Sequence, residues 1–139
     1  MTVAIPTSLS DALDFRRANQ DALIIAGGTD LMVEVNFNRR QVDDVLSVSR
    51  VPELQELTID GGRSVRIGSS TSWARLETGE VARLLPALAE AARTVGSPQI
   101  RQAGTIGGNL GTCSPAGEDR KSTRLNSSHV ALSRMPSSA

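Results

Sequence analysis

Apolar and polar positions follow two different periods over the first fifty residues. Val3-Ala4-Ile5 is a short apolar run closed by Pro6. Leu9, Ala12, Leu13 and Ala18 then recur at helical spacing behind Ser8 and Ser10, either of which can cap the helix. Asp21 leads into Ala22-Leu23-Ile24-Ile25-Ala26, a continuous apolar run of strand length. Such a run predicts a strand buried on both faces, as in a parallel sheet covered by helices. Gly27-Gly28 breaks it. Leu31, Met32 and Val35 predict a helix starting near Thr29, and Val45-Leu46-Ser47-Val48 is the next strand. The segment reads as a β-α-β unit.

The pattern changes after Pro52. Leu57-Thr58-Ile59 and Ser64-Val65-Arg66-Ile67 flank Asp60-Gly61-Gly62 and predict a β-hairpin. Thr71 or Ser72 caps a short helix through Trp73, Leu76 and Glu77. Leu84, Leu88, Ala91, Ala92 and Val95 share one face of a longer helix, with Pro86 in its first turn and Gly96 and Pro98 closing it. Gly104-Thr105-Ile106-Gly107-Gly108-Asn109 reads as a second glycine-rich loop, about 75 residues after the first. No internal repeat is visible.

Both glycine motifs carry candidate chemistry. In Ile25-Ala26-Gly27-Gly28-Thr29-Asp30-Leu31 a buried strand runs into two glycines and then a helix N-terminus. Glycines let the chain turn sharply and let a ligand approach with no Cβ in the way. The unpaired first amides of the helix suit a phosphate. Thr29 is expected to cap those amides, and the Asp30 carboxylate to turn aside to a cap or a sugar hydroxyl, since it would repel a phosphate. The alternative is a tight strand-to-helix connection without a ligand. The spacing is neither a dinucleotide GxGxxG nor a Walker loop. Residues 104–111 hold four glycines in eight positions and form a candidate second clamp on a diphosphate; the alternative is a surface turn. At Gly28 or Gly107, a Cβ is expected to stand where a diphosphate approaches the amides.

Composition narrows the class. The 139 residues allow one domain, with a core of Leu, Ile, Val and Ala, because Phe15, Phe37 and Trp73 are the only aromatics. No apolar run nears the ~18 residues of a membrane span. The N-terminal stretch lacks the basic-then-apolar layout of a secretion signal, which predicts a cytoplasmic protein. A single cysteine, Cys113, cannot alone hold an iron–sulfur cluster or a zinc, so no metal ligands are assigned. The zero net charge hides two segments: residues 1–118 carry eleven Arg, no Lys and fourteen acidic residues, and residues 119–139 carry three Arg, one Lys and one Asp. The acidic body gives no electrostatic reason to expect nucleic acid as a partner.

Three stretches are specific. Leu23 to Leu31 (LIIAGGTDL), Thr105 to Asn109 (TIGGN) and Ser114 to Gly117 (SPAG) resemble, in order and spacing, the FAD-binding medium subunit of the molybdenum hydroxylases, the xanthine and carbon monoxide dehydrogenase type. The resemblance covers residues 1–118 and implies an α+β, two-subdomain FAD-binding fold. Residues 1–50 would form the first subdomain, the β-α-β unit. Residues 51–118 would start a second, mixed-sheet subdomain that is incomplete here. It assigns Leu23, Ile24, Ile25, Ala26, Gly27, Gly28, Thr29, Asp30, Thr105, Ile106, Gly107, Gly108 and Asn109 to FAD binding. Glu118, where the family usually has Asp, joins them as a carboxylate contact. Val95 occupies a weaker flavin-touching position, Trp73 reads as core, and Cys113 as a packing residue. The implied role is electron transfer from iron–sulfur and molybdopterin subunits or domains to FAD, and on to NAD or another acceptor. No catalytic side chain is named. The alternatives are a flavin oxidoreductase of the same fold without molybdenum partners, and a non-functional fragment that binds no cofactor.

From Asp119 the chain reads DRKSTRLNSSH, then VAL, then SRMPSSA, which resembles a translated sequencing adapter rather than the family's continuation. Residues 119–139 are therefore expected to be a foreign, disordered tail, Glu118 to be a junction residue, and Lys121 and His129 to have no role. Leu125, Val130, Leu132 and Met135 are too few apolar anchors to offset the entropy of ordering the segment. Deleting residues 119–139 should leave the thermal midpoint of the body unchanged; a drop of several degrees on calorimetry would contradict this.

Overall fold

The computed structural model describes residues 2–37 and 42–112. Cys113, Ser114 to Gly117, Glu118, Lys121, His129 and the rest of the expected tail lie outside the described residues.

The first unit is built on strands β1 (Thr2–Ala4), β2 (Leu23–Ile25) and β3 (Asp44–Ser47), in the spatial order β1-β3-β2, all parallel. Helix α1 (Leu9–Ala18) connects β1 to β2. Its start is settled by Ser8, whose Oγ accepts from the Asp11 amide at 3.1 Å. Helix α2 (Leu31–Asn36) lies between β2 and β3. Ala12 of α1 packs on Leu46 of the central strand, and Val51 and Leu54, just past residue 50, complete this core. The expectation that the Ala22–Ala26 run is buried on both faces does not hold. β2 is an edge strand and Ile24 is 56% exposed. One helix over three strands leaves the edge uncovered, so the length of an apolar run overstated its burial.

The second unit begins with the hairpin β4 (Leu57–Asp60) and β5 (Ser64–Ile67), antiparallel as expected. Gly61 (φ 50°) and Gly62 (φ 74°) turn it, and the Arg63 amide closes the turn on the Asp60 carbonyl at 2.8 Å. Alternation sends Leu57, Ile59, Val65 and Ile67 onto the helices α3 (Trp73–Leu76), α4 (Gly79–Leu84) and α5 (Pro86–Thr94). Trp73, Leu76, Val81 and Ala92 form the buried centre, so Trp73 is a core residue as expected. The expected helix with Pro86 in its first turn is α5. Pro86 supplies no amide and holds Leu85 out of the helical region (φ −125°, ψ 64°), which ends α4 and leaves Pro86 to start α5. Leu84 consequently faces away from the core, 38% exposed.

Gly96 (φ 49°) turns the chain into α6 (Pro98–Ala103), a helix that the pattern did not predict. Ser97 caps it by accepting from the Ile100 amide at 3.3 Å. The last element, α7 (Ile106–Thr112), corrects a second expectation: Thr105–Asn109 is the start of a helix, not a loop. No helix among the described residues is long and apolar enough to cross a membrane.

Leu76 is fully buried at the centre of the second core. Leu76→Ala should cost about 2–5 kcal/mol, read as a lower denaturant midpoint at unchanged slope. A loss below ~1 kcal/mol would mean that this core is not what holds the helices to the hairpin.

Candidate functional site

The two glycine motifs meet. A Cβ on Gly27 would strike the carbonyl oxygen of Ala103 and sit 3.0 Å from the Gly104 Cα. A Cβ on Gly104 would lie 3.6 Å from Thr29 Oγ1, and one on Gly108 would lie 3.9 Å from the Ala26 Cβ. The turn after β2 therefore presses backbone against backbone on the α6–α7 connection. That contact joins the two units and forms the floor of an open cleft of about 1310 Å³.

The first motif keeps its donors free. The Ile25 carbonyl accepts from the Val48 amide at 2.9 Å, which pins the end of β2. Gly28 then takes a left-handed conformation (φ 72°). Over the next five residues the ladder stops: the amides of Gly27, Gly28, Thr29, Asp30 and Leu31 donate to no acceptor among the described residues. Gly27 through Leu31 all line the cleft. Buried amides are almost always paired, so a half-buried run of unpaired donors on a cleft wall is a site for an acceptor. Thr29 does not cap α2 as expected. Asp30 holds the cap position, without a side-chain cap bond, and its Oδ2 instead accepts from the Thr112 hydroxyl at 3.3 Å.

The second motif spends its donors internally. Ile106 N donates to Thr71 O (3.1 Å) and Gly107 N to Ser69 O (2.8 Å). Gly108 N donates to Thr105 Oγ1 (3.1 Å) and Asn109 N to Thr105 O (3.1 Å). Ser72 and Thr105 form an isolated antiparallel bridge, and the Trp73 amide donates to Gly104 O at 3.1 Å. The expectation that a Cβ on Gly107 would obstruct a diphosphate is corrected: it would meet the Ser69 carbonyl oxygen and Cβ, each at 2.6 Å. Gly107 is glycine so that α7 can lie against the 69–71 segment.

The cleft collects Leu23, Ile24, Ala26, Gly27, Gly28, Thr29, Asp30, Thr105, Gly107, Gly108 and Asn109 of the expected set. Ile25 and Ile106 do not line it. Ile25 lies under Gly28, its Cδ1 3.2 Å from where a Cβ would be, and Ile106 packs on the second core. Glu118 lies outside the described residues. Val95 also lines the cleft. Sequence reasoning missed Arg16, Ser69, Ser70, Thr94 and Thr112. Arg16 is the only cation among the described lining residues, and its guanidinium donates to the Ala22 carbonyl at 2.9 Å and that of Asn19 at 3.3 Å. A basic residue in the last helical turn before the glycine-bearing strand was the one signal available for it. Among the described residues no group of His, Cys, Asp and Glu could hold a metal ion.

The family described as the FAD binding domain in molybdopterin dehydrogenase matches residues 1–130. The chain is 38% identical over 116 residues to a nicotinate dehydrogenase FAD-subunit of Eubacterium barkeri, covering 81% of this chain and 39% of the relative. It is 35% identical over 104 residues to a xanthine dehydrogenase FAD-binding subunit of Escherichia coli O157:H7, covering 74% of this chain and 36% of that one. The fold is similar to that of a carbon monoxide dehydrogenase from Hydrogenophaga pseudoflava lacking the Mo-pyranopterin moiety of its cofactor. That match has a TM-score of 0.77 at 30% identity, over 85% of this chain and 42% of that chain. The chain thus spans about two fifths of the length of these relatives.

The close approach at Gly27 sets a prediction. Gly27→Ala should destabilise the protein by about 2–3 kcal/mol, because backbone on both sides must shift. At Gly111, inside α7 with open space around its Cβ position, alanine should be neutral or stabilising by up to ~1 kcal/mol. Equal effects of the two substitutions in chemical unfolding would remove the seam from the account.

Proposed function

The chain belongs to the family of FAD binding domains in molybdopterin dehydrogenases, and we propose that its cleft holds the diphosphate of FAD on the amides of Gly27 through Leu31. The observation that carries this is the run of five donors on the cleft wall with no acceptor among the described residues. A diphosphate is rich in acceptor oxygens, and consecutive main-chain amides match it without a side chain. Gly28 presents the run in a left-handed turn that a β-branched residue resists. Arg16 supplies positive charge on the same cleft.

Leu23, Ile24 and Ala26 to Asp30 would make the direct wall of the site, with Ile25 supporting Gly28 from beneath. Thr105, Gly107, Gly108 and Asn109 would shape the opposite wall and Ile106 would buttress it, with the amides of Ile106 through Asn109 already committed. Glu118 belongs to the proposed contacts by resemblance. Bound FAD supplies a redox centre that accepts and releases electrons, which the protein orients and tunes. This chain's own residues bind and position, and none is assigned a proton to move.

The complete protein is then the FAD-carrying, electron-transferring part of a cytoplasmic molybdenum hydroxylase, an oxidoreductase. Iron–sulfur and molybdopterin partners would deliver electrons, and NAD or another acceptor would remove them. The naming of relatives as FAD subunits, components of larger enzymes, supports this assembly. We read residues 1–50 and 51–118 as its first subdomain and the start of its second, supported by two separate cores, and residues 119–139 as the foreign segment. A second reading, that residues 1–139 alone hold no FAD, is favoured by a length of two fifths of the relatives. A colourless purified chain beside a yellow complete subunit would select it.

The test compares two valines placed at positive φ in the assembled flavoprotein. Gly28 (φ 72°) lies on the cleft, and Gly61 (φ 50°) lies in the hairpin turn with nothing near its Cβ position. Gly28→Val should lose most of the flavin absorbance carried per polypeptide, and Gly61→Val should keep it at a stability cost of about 1–2 kcal/mol. Equal flavin occupancy in both variants would reject the amide site.

A further inference from the structure

An anion site made of amides has a competitor within its own chain. Asp30 sits in the middle of the unpaired run, at the cap position of α2. An aspartate there ordinarily turns its carboxylate onto the first free amides of the helix. Here it does not: its backbone is in the α region (φ −95°, ψ −50°) and its side chain makes no cap bond. The carboxylate is drawn the other way, to the Thr112 hydroxyl on α7, 3.3 Å from Asp30 Oδ2. Asp30 belongs to the first motif and Thr112 ends the helix that the second motif begins, and both line the cleft.

We propose that Thr112 is a positioning residue for the FAD site: its hydroxyl holds the Asp30 carboxylate off the amides of Gly27 through Leu31 and leaves them open to the diphosphate. The inference rests on the reading of the cleft given above and deepens it. The hydroxyl has one proton and three acceptors in range, Gly108 O at 3.0 Å, Asn109 O at 3.3 Å and Asp30 Oδ2 at 3.3 Å. The carboxylate is the charged one of the three, and hydrogen bonds to ions are the stronger kind. Freed from Thr112, the Asp30 carboxylate would become a tethered anion within reach of the amides. It would compete with the ligand by occupying them and oppose it by charge. Asp30 tied to Thr112 also spans from α2 to α7, which ties the two walls together across the cleft.

The experiment strips flavin from the assembled protein and titrates FAD back into the unaltered protein, T112V, D30N and the double variant, with flavin fluorescence as the readout and circular dichroism as the check on folding. T112V should bind FAD about tenfold more weakly, the scale of one hydrogen bond to a charged group. In the D30N background T112V should cost less than about twofold, because no carboxylate remains to be held. A Thr112 that only supports α7 through the Gly108 and Asn109 carbonyls would cost the same in both backgrounds, and that result overturns the proposal, as does a T112V that binds FAD normally. Failure of the unaltered protein to take up FAD would instead sink the reading of the cleft, and this inference with it.

Discussion

Everything in the cleft depends on one close approach, the backbone of Gly27 against that of Ala103 and Gly104. A Cβ on Gly27 would hold the two units apart. Their separate cores, one around Leu46 and one around Leu76, do not by themselves fix how the units meet. The seam does so with few direct bonds: Ser70 Oγ to the Val48 carbonyl at 3.5 Å, the Ser70 amide to Leu54 O at 2.7 Å, and Thr112 to Asp30. Packing without Cβ atoms is what places an unpaired run of amides opposite a wall of satisfied ones.

That asymmetry divides the two glycine motifs by role. In the first, glycine permits a left-handed turn and leaves donors exposed. In the second, Gly107 and Gly108 permit α7 to lie against Ser69, Thr105 and the first motif, and the donors are consumed in doing so. Two glycine pairs that look alike on paper therefore solve different problems. One leaves backbone donors without an acceptor among the described residues, and the other brings backbone to backbone. The acidic Asp30 inside the proposed anion-binding stretch fits the same picture, its carboxylate engaged by Thr112.

Much of the fold was legible because it rests on local periodicity. The helix behind Ser8, the hairpin around Gly61-Gly62 and the start of a helix at Pro86 follow from spacing, capping and turn chemistry, and the structure shows each of them. The errors share a cause. The burial of Ile24 depends on whether another element covers the strand edge, which the run of apolar residues does not encode. Thr105–Asn109 reads as a loop because glycine disfavours helix, yet the Thr105 hydroxyl caps the helix and contact with Ser69 compensates for the glycines. Resemblance found both glycine stretches of the cleft, but Ser69 and Thr112 act through contacts with carbonyls or with residues up to 82 positions away, beyond any local pattern.

On the proposed function, the amides of Gly27 through Leu31 are open without ligand and engaged with it, while those of Ile106 through Asn109 are engaged throughout. Residue-resolved amide hydrogen exchange, with and without FAD, measures this directly. The account predicts fast exchange at Gly27 through Leu31 in the flavin-free protein, strong slowing there when FAD binds, and slow exchange at Ile106 through Asn109 in both states. Slowing confined to Ile106 through Asn109, with Gly27 through Leu31 unchanged, would contradict it.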